Sequence, residues 1–278
     1  MLKLLGDRPL GARDAPVVEQ VLATDPVAMC MVAARFEVHG ITPRLLGGEM
    51  WSAADPVTSL CFSGANLIPL IGSPDDLDYF ADRAIAAPRV CSSVVGRAEL
   101  VMPMWEQLEL AWGPAREVRA TQPLLALPGP PAVRSDPGVR LVTMDDLDAY
   151  LPAAIDMFIG EVGVDPTAGD GGRSYRRRLA SLVNAQRVFA RFDDGRVVFK
   201  AEIGSLSRRV GQIQGVWVAP DRRGEGLGIA GTASVAEAVI SHGRTPSLYV
   251  NSFNVAARAA YARVGFVDVG TFATILVD

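Results

Sequence analysis

VGQIQGVWVAPDRRGEGLGIA, residues 210–230, changes character halfway along. Val210, Ile213, Val216 and Val218 put β-branched side chains into a mostly uncharged run, which predicts a strand. Pro220 cannot donate to a ladder, so the strand should stop near Ala219. Two arginines follow, then glycines at 224, 226 and 228 and a helix-forming run from Ile229 to Ser241. Glycines let backbone N–H groups converge on an oxyanion, and a helix N-terminus adds unpaired donors and the positive end of a dipole. Strand, Arg-Gly-rich turn and helix together predict a pyrophosphate cradle. A P-loop is excluded, because no Gly-Lys-Ser/Thr follows the glycines. Gly226-Leu227-Gly228-Ile229-Ala230-Gly231 spells G-x-G-x-x-G, but seven residues separate Val218 from Gly226 and the next strand, Ser247–Val250, carries no acid. A dinucleotide fingerprint needs its first glycine directly after the strand and an acidic residue about 20 positions on. A Gly-rich connection that holds no ligand is the plain alternative.

APDRRGEGLG after a strand resembles the acyl-CoA-binding motif of the GNAT acetyltransferase superfamily, Arg/Gln-x-x-Gly-x-Gly/Ala. Arg223, Gly226 and Gly228 stand at its fixed positions, and Gly224 fills the common Arg-Gly variant. Downstream, SLYVNSFNVAARAAYARVGF resembles the second cofactor motif of that superfamily in the spacing of Val250, Asn254, Ala257, Tyr261 and Gly265-Phe266. The resemblance covers roughly residues 139–278. It implies acetyl-CoA as acyl donor, with the pantetheine arm paired to the backbone of Val216, Trp217 and Val218. It places the pyrophosphate on amides of Arg223, Gly224, Glu225, Gly226, Leu227 and Gly228. It makes Asn254 a hydrogen-bond partner of the arm, and Tyr261 the catalytic acid that protonates the departing thiolate. Asn254 and Tyr261 are seven apart, hence on one face of a helix. A packing tyrosine is the plain alternative for Tyr261.

A base is harder to find. Some members of the superfamily carry a glutamate six residues before the last signature position of the central strand. Counting back from Val218 reaches Gln212, whose amide does no acid–base chemistry. Glu202 on the adjoining strand, and Glu161 and Asp165 after the first helix, are the candidates left open; an amine that arrives partly neutral needs none.

At 278 residues the chain exceeds one ordinary domain, and two are expected. With 49% hydrophobic and 21% charged residues it reads as globular, with sizeable cores. Lysine occurs only at positions 3 and 200, a bias read as composition and not as chemistry. A net charge of −4 and the lack of a polybasic run argue against nucleic acid as a partner. Cys30, Cys61 and Cys91 lack metal or disulfide spacing and read as buried thiols, so no metal is expected. MLKLLGDRPLG has no apolar run of signal-peptide length, and no 18-residue apolar run spans a membrane; a cytoplasmic location is expected.

The first half alternates its own elements. Helices are expected over Ala15–Thr24 and Pro26–Glu37, the second capped by Asp25. Strands are expected over Gly48–Ala53, Val57–Ser63 and Asn66–Leu70, divided by Asp-Pro and Gly-Ala turns. Ser73 and Asp76 form a capping box opening a helix to about Ala87. A strand Arg89–Val95, a helix Met104–Trp112 and a strand Glu117–Leu127 complete the half. This order resembles a GNAT domain without the cradle or the Asn-x-x-Ala-x-x-x-Tyr helix, so a degenerate copy is expected. The Pro/Gly-rich stretch 128–138 reads as a linker. The expected plan is therefore α/β, with tandem GNAT-like mixed-sheet domains at 1–127 and 139–278.

In the second domain, Arg140–Val142 is an expected strand and Thr143 with Asp146 caps a helix to about Ile159. Ser174–Asn184 is expected as a helix, with Arg176, Arg177 and Arg178 on a solvated face. Asp194-Gly195 predicts a type I′ hairpin, and His242 a helix C-terminal cap. The function expected is transfer of an acyl group, most simply acetyl, to the amine of a small molecule or peptide. The alternative is a non-catalytic acyl-CoA-binding or regulatory protein, favoured by Gln212.

Overall fold

The computed structural model describes residues 9–54 and 57–278; most of the N-terminal stretch read above and the Asp55-Pro56 turn lie outside the described residues. The first half folds as α1 (Ala15–Leu22), α2 (Cys30–His39), α3 (Pro43–Leu46), β1 (Gly48–Trp51), β2 (Leu60–Gly64), β3 (Leu67–Ile71), α4 (Pro74–Ala86), β4 (Ser93–Arg97), α5 (Ala98–Trp112) and β5 (Glu117–Ala126). The second half continues with β6 (Val139–Leu141), α6 (Leu147–Val162), α7 (Arg173–Asn184), β7 (Val188–Asp193), β8 (Arg196–Leu206) and β9 (Val210–Val218). It ends with α8 (Leu227–Ser241), β10 (Thr245–Tyr249), α9 (Val255–Val264) and β11 (Val267–Leu276).

The chain divides into two compact units, each a mixed α/β structure. The first holds the described residues up to Leu124 together with Tyr249–Phe253 and Asp268–Asp278. The second holds Leu125–Leu248 and Asn254–Val267. This differs from a single cut at 128–138, because the last strand leaves the span 139–278. β11 runs antiparallel to β4, pairing Phe272 with Arg97 and Leu276 with Ser93. Its alternate side chains Ala273 and Ile275 join Phe80, Met104 and Leu108 in a buried cluster.

In the first unit the strand order is β1-β2-β3-β4-β11-β5. Val18, Leu22, Val32 and Phe36 project from α1 and α2 onto Met50, Leu60 and Phe62. The capping box at α4 forms as expected, with Asp76 N–H on Ser73 Oγ at 3.3 Å and Ser73 N–H on Asp76 Oδ2 at 2.8 Å. Three expectations shift. Residues 26–29 make turns and α2 starts only at Cys30, although Asp25 Oδ1 still accepts from Ala28 N–H at 3.1 Å. Arg89 and Val90 are exposed and β4 begins at Ser93. Helix α5 starts before Pro103, which sits inside it.

In the second unit the order is β10-β9-β8-β7-β6. Asp194 and Gly195 both take positive φ, 50° and 76°, as the I′ turn requires. Added Cβ atoms locate the helices: at Gly231 one would strike Phe199 of β8, and at Gly211 of β9 one would strike Val239 of α8. Side chains alternate along strands, so α8 covers the face bearing Phe199 and Ile213, and α6 covers the face bearing Lys200 and Glu202. The stretch expected as a linker is strapped to this unit. Ala132 N–H donates to Val264 O at 2.8 Å, and Asp136 takes a 2.8 Å ion pair from Arg191.

Candidate active site

The Arg-Gly turn lies between the end of β9 and the start of α8. Pro220–Arg222 make a single 3-10 turn, and Gly226 caps α8 with φ 84°. Gly224 also has positive φ, 86°, and a Cβ at either glycine would meet nothing within 4 Å. Among the described residues the amides of Gly224, Glu225, Gly226, Leu227 and Gly228 have no backbone acceptor. Five donors thus sit at the positive end of α8, on an exposed loop whose glycines leave room for a ligand to approach.

The side chains of the loop divide their work. Arg222 is held by Glu225 at 2.8 Å and Asp193 at 2.9 Å, and Leu227 anchors the turn against Val198 and Ala219. Arg223 is exposed, touches only Val218 O at 3.4 Å, and pairs with no carboxylate among the described residues. Its charge is available to an anion. The matching connection of the first unit, β3 to α4, is the reverse. Pro74 has no N–H, the Ser73–Asp76 box engages the cap, and Asp75 and Asp76 put negative charge in the first turn.

β9 forms one side of a fork. It pairs with β10 in parallel over only three rungs, Thr245 with Val210, Pro246 with Gly211 and Ser247 with Gln212. Beyond them, the edge of β9 away from β8, including the backbone of Val216, Trp217 and Val218, pairs with no other strand among the described residues. On its other edge β9 follows β8, but the register shifts between Lys200–Trp217 and Glu202–Gln214. Two residues, Gly215 and Val216, there face Ala201 alone. This is a β-bulge with Gly215 at φ 59°. A glycine inside a strand run is the sequence signal for such a bulge.

Beside the bulge lies a buried polar cluster that the motifs do not announce. Lys200 Nζ sits 2.9 Å from Glu202 Oε1, and the Tyr150 hydroxyl donates to the same oxygen at 3.0 Å. Gln214 donates to Glu202 Oε2 at 3.3 Å, and Arg178 stands 3.7 Å from it. Burial pushes the Glu202 carboxyl up, but the charges of Lys200 and Arg178, with hydrogen bonds from Lys200 and Gln214, hold it below the usual carboxylate range. A carboxylate held below its usual range by this many partners is a weak base. Arg178 is therefore more than part of a solvated face, and Arg176 pairs with Asp148. Asp165 is exposed and bonded to Thr167 N–H and Oγ at 2.8 and 2.7 Å, which keeps its carboxyl below the usual range.

Tyr261, on α9, is buried with its ring edge toward Phe266 at 6.0 Å. Its hydroxyl has no hydrogen-bond partner among the described residues. Burial, and then the charge of Glu161, hold the phenol well above its ordinary range, so it keeps its proton at neutral pH. Asn254 caps α9, its Oδ1 accepting from Ala257 N–H at 3.1 Å. Only its Nδ2 is left for a ligand. His242 does cap α8, with Nδ1 2.8 Å from Ala238 O. All three cysteines are buried and free. Among the described residues no three His, Cys, Asp or Glu side chains could hold a metal, and no helix is long and apolar enough to cross a membrane.

The fold, with a sheet that forks at a bulged strand and a glycine-rich turn leading into the following helix, is similar to that of solved GNAT-family acetyltransferases. The likeness runs along nearly the whole chain. A GNAT-family acetyltransferase from Colwellia psychrerythraea matches at 11% identity and a TM-score of 0.60, over 98% of this chain and 99% of that one. A Drosophila protein matches at 13% and 0.69, over 97% and 98%, and a GCN5-related N-acetyltransferase from Kribbella flavida at 16% and 0.54, over 88% and 95%. The family model described as FR47-like protein matches residues 198–274, which run from β8 to β11. A domain of unknown function, DUF4081, matches residues 48–150. A search of curated proteins finds no match.

Proposed function

We propose that the second unit is an acyl-CoA-dependent N-acyltransferase that moves an acetyl group from acetyl-CoA to a primary amine. The observation that carries this reading is the row of five unaccepted amides from Gly224 to Gly228 behind a strand with an unpaired edge. The amides and Arg223 would hold the pyrophosphate, and the backbone of Val216, Trp217 and Val218 would hold the arm. Asn254 Nδ2 is a further donor to it. When bound, acetyl-CoA supplies an activated thioester carbonyl. Tyr261 keeps a proton at its hydroxyl with no competing acceptor, so one is available for the departing thiolate, from a phenol that burial makes a weaker acid than a free one. Glu202 and Asp165 are both held low by their partners, so the amine arrives partly neutral or gives its proton to solvent or to Glu161. Incubation with acetyl-CoA and a panel of small amines and amine-terminated peptides tests the reading: free thiol should appear only with protein and acceptor together.

A second reading keeps CoA binding and drops the chemistry. Gln212 favours it, since an amide stands where a base could. The same assay decides, because calorimetric binding of CoA without thiol release on any acceptor would support the second reading.

A further inference from the structure

Gln212 and Ser247 are partners on the last rung before β9 and β10 part. They are 3% and 0% exposed, and Gln212 Nε2 and Ser247 Oγ have no hydrogen-bond partner among the described residues. Paired residues on parallel strands share a face, and neighbouring strands lie about 4.8 Å apart. Gly211 points to α8, so Gln212 and Ser247 point the other way, to the face carrying Gln214 and Glu202. Gln214, two residues along that face, is exposed and leads out to solvent.

Buried polar groups are normally satisfied, and two orphans side by side at the closed end of a fork ask for one shared partner. An amide N–H can only donate there, and a serine hydroxyl can donate beside it. Two donors define a place for one oxygen. Lys200 and Arg178, which lie toward the same face, are both turned to Glu202, so their charge is already committed and does not compensate a further buried carboxylate.

We propose that Gln212 and Ser247 bind the acceptor substrate by a neutral carbonyl oxygen, so that the acceptor is an amine carrying an amide, as in an amino-acid amide or the N-terminal residue of a peptide. The inference rests on the acyltransferase reading. It gives Gln212 a task its chemistry permits, binding in place of proton transfer.

The test compares matched acceptors: amino-acid amides, the free amino acids, and the amines lacking the carbonyl, over several side chains. The full-length protein and the variants Gln212→Met and Ser247→Ala are assayed with acetyl-CoA. A site built around a hydrogen bond rejects analogues that lack it, so the wild type should favour amides over plain amines by about 10²-fold or more in kcat/KM. Each variant should cut that ratio by about tenfold through KM for the amide, with its melting temperature held or raised, since an orphan donor has been removed. A ratio that the variants leave unchanged, a loss spread evenly over all acceptors, or a preference for free amino acids would overturn the proposal. Calorimetry on CoA-saturated protein separates the two readings. If CoA binds but nothing is acetylated, the enzyme reading fails, and an amide that binds no tighter than its plain amine overturns this one as well.

Discussion

Lys200 and Glu202 form an ion pair of 2.9 Å with both side chains out of solvent, next to a bulge that only a glycine makes without strain. Breaking such a pair from one side leaves a buried charge behind, and this typically costs about 3–5 kcal/mol. Lys200→Met should lower stability by that order in urea melts at pH 7. The doubly apolar variant Lys200→Met/Glu202→Leu should recover much of the loss.

The pair also carries a pH dependence. The Glu202 carboxyl is depressed in the folded protein, so its stabilisation is present above the unfolded value of about 4.3 and fades as pH falls through the folded one. Glu202→Gln should therefore be less stable than wild type at pH 7, with the gap closing below about pH 4. Denaturation midpoints measured from pH 3 to 7 check this; a gap that widens in acid would mean the carboxyl is not held low.

Asn254 has two ends with different tasks. Asn254→Ala removes the cap and should cost about 1 kcal/mol of stability together with CoA affinity. Asn254→Asp keeps an oxygen for Ala257 N–H but has no amide donor. It should melt like wild type and still bind CoA more weakly. Equal CoA affinity in both variants and wild type would leave Asn254 a cap only.

Tyr261→Phe removes one hydroxyl and leaves the packing against Phe266. General acid–base groups contribute about 10²–10⁴-fold, so kcat should fall by that order with KM for acetyl-CoA changed little. Unchanged turnover would assign the proton to water. A change confined to CoA affinity would make the phenol a binding group.

Much of this was legible in the sequence because it is local. β-branched residues ending at Pro220 mark β9, and alternate glycines mark the cradle. Ser73 with Asp76, Asp194-Gly195 and His242 each announce a cap or turn through their own chemistry. What stayed hidden depends on register and on distant partners. Nothing in the sequence near Ser247 says that it faces Gln212, and a one-residue shift would have put it on the other face. Lys200 and Glu202 are two apart on a strand, but both meet Tyr150, about 50 residues away in sequence, in a cluster that no local signal records. The expected start of α5 at Met104 is six residues late: Pro103 inside the helix removes one hydrogen bond, and Val101, Met104, Trp105 and Leu108, all buried, hold the helix across it. Strand β11 lies with the first unit because its partner is β4, which no local signal near residue 270 records.

In the proposed function the loop 223–228 binds the pyrophosphate of CoA, once per chain. Gly226→Asp tests it well, since a Cβ there meets open space with unaccepted amides around it, and aspartate tolerates the positive φ better than most side chains. A carboxylate there places charge and bulk where the donors converge. Calorimetric titration of the full chain with CoA should give one site for wild type and none for a Gly226→Asp protein that melts normally. A folded Gly226→Asp that binds CoA with unchanged affinity, or a wild type that binds two CoA or none, would contradict the account.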